Sequence, residues 1–327
     1  MEDEDFTSSL ELDLVENVCL DWHQGKINGH LSLQGLSGHK IDTLWINPSP
    51  KILSNKEQLW FNESTVLLTC PITNPNHQFW DVLVNLFPLY QQTPPFTHWI
   101  APIAKCDYWL CELIPILFNV LNLNIKHIDN YITNKSMVCF HQLYIPKFGL
   151  FRGERIPIPY EEVILPKLNN ALTNRFVNNN IQPINNILIY GKEDTGISSR
   201  CWNNARDTAI RINTTGNVHY ISNMAGLSFT EQCEAFWNAR HILYIHGGHT
   251  ANLICTRKGT FIDEFACPRN IGWFQKTPLF HKVMSLNYIY SRVPGCWGLD
   301  AAFHTPDAWF DKLLYRSVYI INNTQVN

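Results

Sequence analysis

The spacing of hydrophobic positions changes along the chain. Through the first 95 residues, short β-like runs such as Ile41–Ile46 and Thr65–Leu68 alternate with turns rich in Pro and Asn, and no regular element stands out. From Trp109 the period becomes helical. Leu110, Leu113, Ile114, Leu117 and Leu121 fall on one face and predict a core-facing helix, with Pro115 at a kink or near its start. Phe151–Tyr160 reads as a loop, Glu161–Phe176 as a helix, and the polar stretch Asn178–Asn186 as a linker.

After the linker, strands and helices alternate. Asn186–Tyr190 is an apolar run ending at Gly191, followed by a helix within Arg200–Ile212 and a strand at Val218–Ile221. Ser228–Ala239 reads as a helix with Ser228 or Thr230 as N-cap and Glu231 in its first turn. His241–Ile245 is a third strand, His246–Asn252 a turn into another helix, and Gly259–Phe265 holds a fourth strand; Asp307–Ile321 is a last helix. This order predicts a parallel sheet with helices on both faces. The expected organisation is an N-terminal domain over residues 1–177 and a C-terminal domain over 178–304. A terminal helix within 305–327 is expected to pack back on the N-terminal domain.

The chain of 327 residues suits two domains, and its 45% hydrophobic content lets each bury a core. With 25 basic and 28 acidic side chains the net charge is −3, which gives no field for nucleic acid or anionic lipid. The ten cysteines are spread along the chain with no C-x-x-C pair, which predicts buried free thiols in a reducing compartment. The acidic start Met1-Glu-Asp-Glu-Asp5 is unlike a signal peptide, and Trp109–Ile125 is too short and too polar to span a bilayer. A cytoplasmic protein of bacterial or viral type, with no membrane anchor, is the expectation. In that setting the four sequons at Asn62, Asn134, Asn213 and Asn322 carry no modification.

The strongest chemical signal is His241-Ile-Leu-Tyr-Ile-His-Gly-Gly-His-Thr-Ala-Asn252. It is a strand, a tight turn and a helix start. In a parallel sheet such a turn lies at the carboxyl edge, where ligands bind. Gly247 and Gly248 let the backbone approach a ligand, and the helix start presents unpaired N–H groups to phosphate. His246 and His249 add hydrogen bonds or charge. A tight turn needing glycine for geometry alone has equal claim to this pattern. The next strand, Gly259-Thr-Phe-Ile-Asp-Glu-Phe265, brings Glu264 to its end, where a carboxylate suits ribose hydroxyls. A zinc site from His246, His249, Cys255 and Cys267 is disfavoured, because the residues sit on different elements. There is no G-x-G-x-x-G, no Gly-x-Ser-x-Gly and no Asp-x-Asp at a strand end.

These residues resemble glycosyltransferase family 61. Gly226-Leu-Ser-Phe-Thr-Glu-Gln232, a helix, a strand, His-Gly-Gly-His-Thr-Ala-Asn and a strand ending in Glu follow its pattern without a gap. Gly248, His249, Thr250 and Ala251 depart from it. Upstream, Arg200 and Asn203 match an Arg-x-x-Asn helix start, with Lys192 near the place of a first Arg. Asp107-Tyr-Trp-Leu-Cys-Glu-Leu-Ile-Pro115 matches at Trp109, Glu112 and Pro115, with Tyr108 in the place of a His. The resemblance implies an α/β fold of GT-B type, two Rossmann-like domains facing across a cleft. It implies a donor site of Arg200, Asn203, His246, Gly247, Gly248, His249, Thr250, Asn252 and Glu264. The implied partners are a UDP-sugar, with xylose favoured, and a glycan acceptor. The implied step inverts the anomeric centre without a metal ion or other cofactor. Such a step needs a base on the acceptor hydroxyl; Glu112 is the first candidate, its burial raising its pKa, and Asp107 the second. A catalytically inactive nucleotide- or glycan-binding relative is the alternative.

Overall fold

The computed structural model describes residues 12–23, 26–27, 32–33, 41–42, 57–68, 78–100, 109–128, 136–146, 158–192, 201–213, 217–224, 226–266, 281–293 and 305–323. The chain divides into two units, Met1–Ile164 and Leu165–Asn327. The division falls inside a helix rather than in the polar stretch that follows it.

The first unit is built on strand β9 (Ser136–Pro146), whose Val138, Phe140 and Leu143 enter a core with Val18, Leu67, Ile100 and Ile128. β1 (Leu12–His23) runs antiparallel along β9 from Leu12↔Pro146 to Asp21↔Met137. β5 (Glu57–Phe61) and β6 (Thr65–Leu67) lie parallel to β9 at its two halves. β7 (His98–Ile100) and β8 (Lys126–His127) extend that edge, and β2 (Lys26–Ile27) pairs with β1. β3 (Ser32–Leu33) and β4 (Ile41–Asp42) form a separate ladder. This sheet is mixed in direction, so the expected wholly parallel Rossmann pattern holds for the second unit only. Long non-local pairing such as β1 with β9 leaves little mark on local periodicity.

Helix α1 (Trp109–Val120) forms where the sequence pattern places it. Leu113, Ile114, Leu117 and Phe118 are buried, whereas Glu112, Pro115 and Asn119 are exposed. Pro115 lies in mid-helix on the solvent side. Helix α2 (Ile158–Asn178) buries Ile164, Leu165, Leu168, Leu172 and Phe176 on one stripe.

The second unit is a five-stranded parallel sheet in the order β11-β10-β12-β13-β14. Its strands are β10 (Asn186–Tyr190), β11 (Val218–Ile221), β12 (Ala239–Ile245), β13 (Phe261–Ala266) and β14 (Asn287–Arg292). All five residues of β10 are buried, as expected of a strand covered on both faces. Strand order reverses after β10. Right-handed crossovers therefore put α3 (Ala205–Ile212) and α4 (Phe229–Asn238) on opposite faces.

Helix α5 (Asp307–Asn323) packs on α3 and β12 of the second unit. Its polar side carries the reason: Arg316 ion-pairs with Asp263, and Ser317 Oγ lies 3.0 Å from His241 Nδ1. Contrary to expectation, the cysteines are not all free thiols. Cys233 and Cys255 form a disulfide with Cα atoms 5.1 Å apart, Cys111 and Cys139 are disulfide-bonded, and Cys201 is a buried thiol. Cys233 and Cys255 are 22 residues apart in sequence but sit on packed elements, a proximity no spacing rule reveals. The cysteines therefore no longer argue for a reducing compartment. Among the described residues, no helix is long and apolar enough to cross a membrane. Closing a loop of this size stabilises by about 3 kcal/mol through the unfolded chain. Cys255→Ser is expected to lower the unfolding free energy by about that amount, read by denaturant titration.

Candidate active site

In a sheet of this order, ligands bind beyond the carboxyl ends of the two strands that flank the reversal, here β10 and β12. At the end of β10, Gly191 is held by Gly191 N–H donating to Ile221 O, and its carbonyl accepts from Trp202 N–H. A Cβ on Gly191 would lie 2.5 Å from Ala205 Cβ, so only glycine lets α3 approach the strand end. Lys192 follows with φ +45°, a left-handed conformation that a lysine adopts only when its surroundings impose it. Asn203 is exposed in the turn before α3, and Arg200 lies outside the described residues.

At the end of β12, the Gly-rich turn leads into a 3-10 helix, Gly248–Cys255. Three contacts shape the turn. Thr250 Oγ1 donates to Gly247 O at 2.7 Å. The His249 ring is buried edge-on against Tyr190 and Tyr244, with centroids 3.9 and 5.2 Å away. Gly247 has room for no side chain without crowding that ring, which would sit 3.2 Å from its Cβ. Asn252 is fully buried, and its Nδ2 donates to Gln232 Oε1 at 2.8 Å.

This last bond links the Gly226–Gln232 motif to the Gly-rich turn. Ser228 caps α4, accepting from Glu231 N–H while the Glu231 carboxylate accepts from Ser228 N–H at 2.7 Å. Gln232, next in line, binds Leu227 O and Asn252, so α4 braces the Gly-rich turn, and the Cys233–Cys255 disulfide ties the same two elements. His249, Thr250 and Asn252 thus face inward and shape the turn. His246, Gly247 and Gly248 form its rim, and the His246 side chain is 11% exposed.

Glu264 departs from its expected position. It is fully buried on β13, and both of its oxygens accept from the protein. His246 Nδ1 lies 2.5 Å from Oε1, and Tyr288 Oη donates to Oε2 at 2.8 Å. A carboxylate so occupied holds the His246 ring rather than a ribose. Burial pushes the Glu264 pKa up, but the His246 hydrogen bond and charge, the Tyr288 hydroxyl and the His281 charge outweigh it, so it falls below the ordinary carboxylate value. Burial and the Glu264 charge push both Tyr244 and Tyr288 up, so both stay neutral. His281 stacks on Tyr288 at 3.8 Å, and burial pushes its pKa down to about 4 against the pull of Glu264. The sequence reading missed Tyr244, His281 and Tyr288 because ordinary Tyr and His positions carry no motif.

The lowered His281 pKa makes stability depend on pH. An unfolded chain protonates His281 near 6.5, whereas the folded protein resists until about 4. Between those values the unfolded state binds more protons, so stability falls as pH falls. The loss is about 3 kcal/mol across that window. His281→Phe is expected to remove this component, seen as a shallower pH dependence in urea titrations from pH 7 to pH 4.

Glu112 is exposed in the first turn of α1, not buried, and Asp107 lies outside the described residues. No group of three or more His, Cys, Asp and Glu among the described residues has metal-holding geometry.

The profile of the family Glycosyltransferase 61 matches residues 76–262, more than half of the chain. The match runs from before α1 into β13 and ends two residues short of Glu264. No curated protein matches the chain.

Proposed function

The chain belongs to the glycosyltransferase 61 family, and we propose that it moves a sugar from a UDP-sugar to a hydroxyl of a glycan acceptor in one inverting displacement, without a metal ion. The observation that carries this reading is the buried His246–Glu264 pair beside the Gly247–Gly248 turn, at the carboxyl end of a parallel sheet next to its strand-order reversal. That is where such sheets receive a nucleotide. The displacement releases a diphosphate, whose growing charge needs donors already in place. The first N–H groups of the 3-10 helix and His246 supply them, with Arg200 and Lys192 adding positive charge. Asn203 belongs to the same donor set. The GT-B arrangement, in which the other unit holds the acceptor, and the choice of xylose rest on the family resemblance. Glu112, exposed in the first turn of its helix, and Asp107 remain the candidates for the base.

A thermal-shift and donor-hydrolysis screen in EDTA tests the reading, using UDP-xylose, UDP-N-acetylglucosamine, UDP-glucose, GDP-sugars and free UDP. One UDP-sugar is expected to raise the melting temperature and to release UDP slowly. Arg200→Ala is expected to weaken that shift. Binding without any turnover would favour the inactive-relative alternative. A response lost in EDTA would overturn metal independence, and no response to any nucleotide would overturn the donor site.

A further inference from the structure

Strand β14 is the edge of the parallel sheet and lies beyond the segment matched by the family profile. It pairs with β13 so that Tyr288 sits opposite Ile262 and Tyr290 opposite Glu264. Side chains two apart share a face of a strand, and Tyr288 therefore points to the same side as Glu264. Its ring rests flat on buried His281, with planes 16° apart. That stack leaves the ring little freedom and aims the hydroxyl at Oε2 of Glu264.

A carboxylate turns easily about its last torsion, a broad rotor with two-fold symmetry. Two donors on its two oxygens stop that rotation. Here His246 takes Oε1 and Tyr288 takes Oε2. The orientation of the His246 ring is therefore set from behind by two residues in series. We propose that Tyr288 is a positioning residue for the transfer step: it fixes Glu264, and Glu264 fixes His246 with Nδ1 inward and Nε2 toward the departing diphosphate.

The inference rests on the transferase reading above. In that reaction the acceptor oxygen bonds to the anomeric carbon, and its proton passes to the acceptor-side base. The bond from that carbon to the diphosphate oxygen breaks, and the electron pair stays on the oxygen. The new charge meets His246 at Nε2, where the ring donates when both of its nitrogens carry a proton. Glu264 supports that role because it is an ionised carboxylate with no room to turn away. His281, neutral above about pH 4, adds no positive charge beside this pair. Tyr288 and Tyr244, held neutral, supply no charge to Glu264.

The test is Tyr288→Phe in the full chain, which keeps the stack on His281 and removes only the hydroxyl. Two readouts are needed. With 15N-labelled histidine, and His246→Gln to assign the signal, NMR reports the ring tautomer of His246. The wild type is expected to show a protonated, slowly exchanging Nδ1, and Y288F a broadened or shifted one. In kinetics with the donor found by the nucleotide screen, kcat is expected to fall about 10- to 100-fold, the usual effect of losing a partner that orients a functional ligand. KM for the donor should stay within about twofold, as for a residue acting only on the transition state. A raised KM with unchanged kcat would overturn the proposal, since Tyr288 would then touch the donor. Unchanged ring signals and kcat would overturn it as well. A locked ring that responds to Y288F in a protein that turns over no nucleotide sugar would support the positioning chain and overturn the transferase reading instead.

Discussion

Replacement of Glu264 by glutamine is expected to lower turnover of the sugar donor by about two to three orders of magnitude while the protein remains folded. The two side chains have nearly the same shape. They differ in what they offer: the carboxylate presents two acceptors, and the amide presents one acceptor and one donor. Glu264 receives His246 on one oxygen and Tyr288 on the other. With its NH2 toward His246 the amide meets a ring N–H and that bond is lost; with its NH2 toward Tyr288 the phenol must turn from donating to accepting. The stability change from one unsatisfied buried group is about 1–3 kcal/mol. The catalytic change is larger, because the negative charge behind His246 is also gone, and a neutral partner holds the imidazole less firmly. Circular dichroism and melting temperature report the fold, and steady-state UDP release reports turnover. Near-wild-type kcat in a folded E264Q protein would sink the role given to this pair.

Asp263→Ala is expected to cost about 3–5 kcal/mol of unfolding free energy, the range for breaking a buried charge pair on one side. Asp263 neighbours Glu264 on β13 but points to the opposite face. There it accepts from His241 Nε2 at 2.7 Å and pairs with Arg316 of α5. His241 in turn meets Ser317, also on α5, at 3.0 Å. The trio Ser317, His241 and Asp263 has the connectivity of a hydrolase triad, yet all three are at most 1% exposed. A nucleophile without access to substrate does no chemistry, so the network is a clasp that fastens the last helix to the sheet. Burial pushes the Asp263 pKa up, but the His241 and Arg316 interactions bring it below its ordinary value. This stabilisation is therefore present above pH 3.8, the unfolded value, and is lost as pH falls through the lower folded pKa. Urea titration of D263A at pH 7 measures the effect; a loss under about 1 kcal/mol would show that α5 is held by its apolar side alone.

Much of the second unit was legible because its signals are local. The apolar run Asn186–Tyr190 is the observed strand to the residue, and Val218–Ile221 likewise. Of the two N-cap residues the sequence offered, Ser228 caps the helix, and Glu231 in the first turn closes a capping box with it. The turn at His246 lies where the end of an apolar run and two glycines put it, though the helix that follows is a 3-10 helix. The first unit was less legible. β1 and β9 are its longest strands, and the reading of the first 95 residues found no regular element where β1 lies.

What the sequence determined by itself, then, is the succession of strands and helices from β10 to β13, the place of the Gly-rich turn, and membership of a transferase family. Each follows from contacts within a few residues: period, caps, glycine geometry and motif spacing. What only the tertiary structure decided is which side chains meet. Glu264 was read as a ribose ligand and proves to be a buried carboxylate between His246 and Tyr288. Cys233 and Cys255 were read as thiols and are bonded, and α5 is fastened to β13 and β12 through Arg316 and Ser317. These partners are 18 to 76 residues apart in the chain. Their meeting depends on the order of strands in the sheet and on which face each helix covers, and neither is encoded in any short stretch of residues.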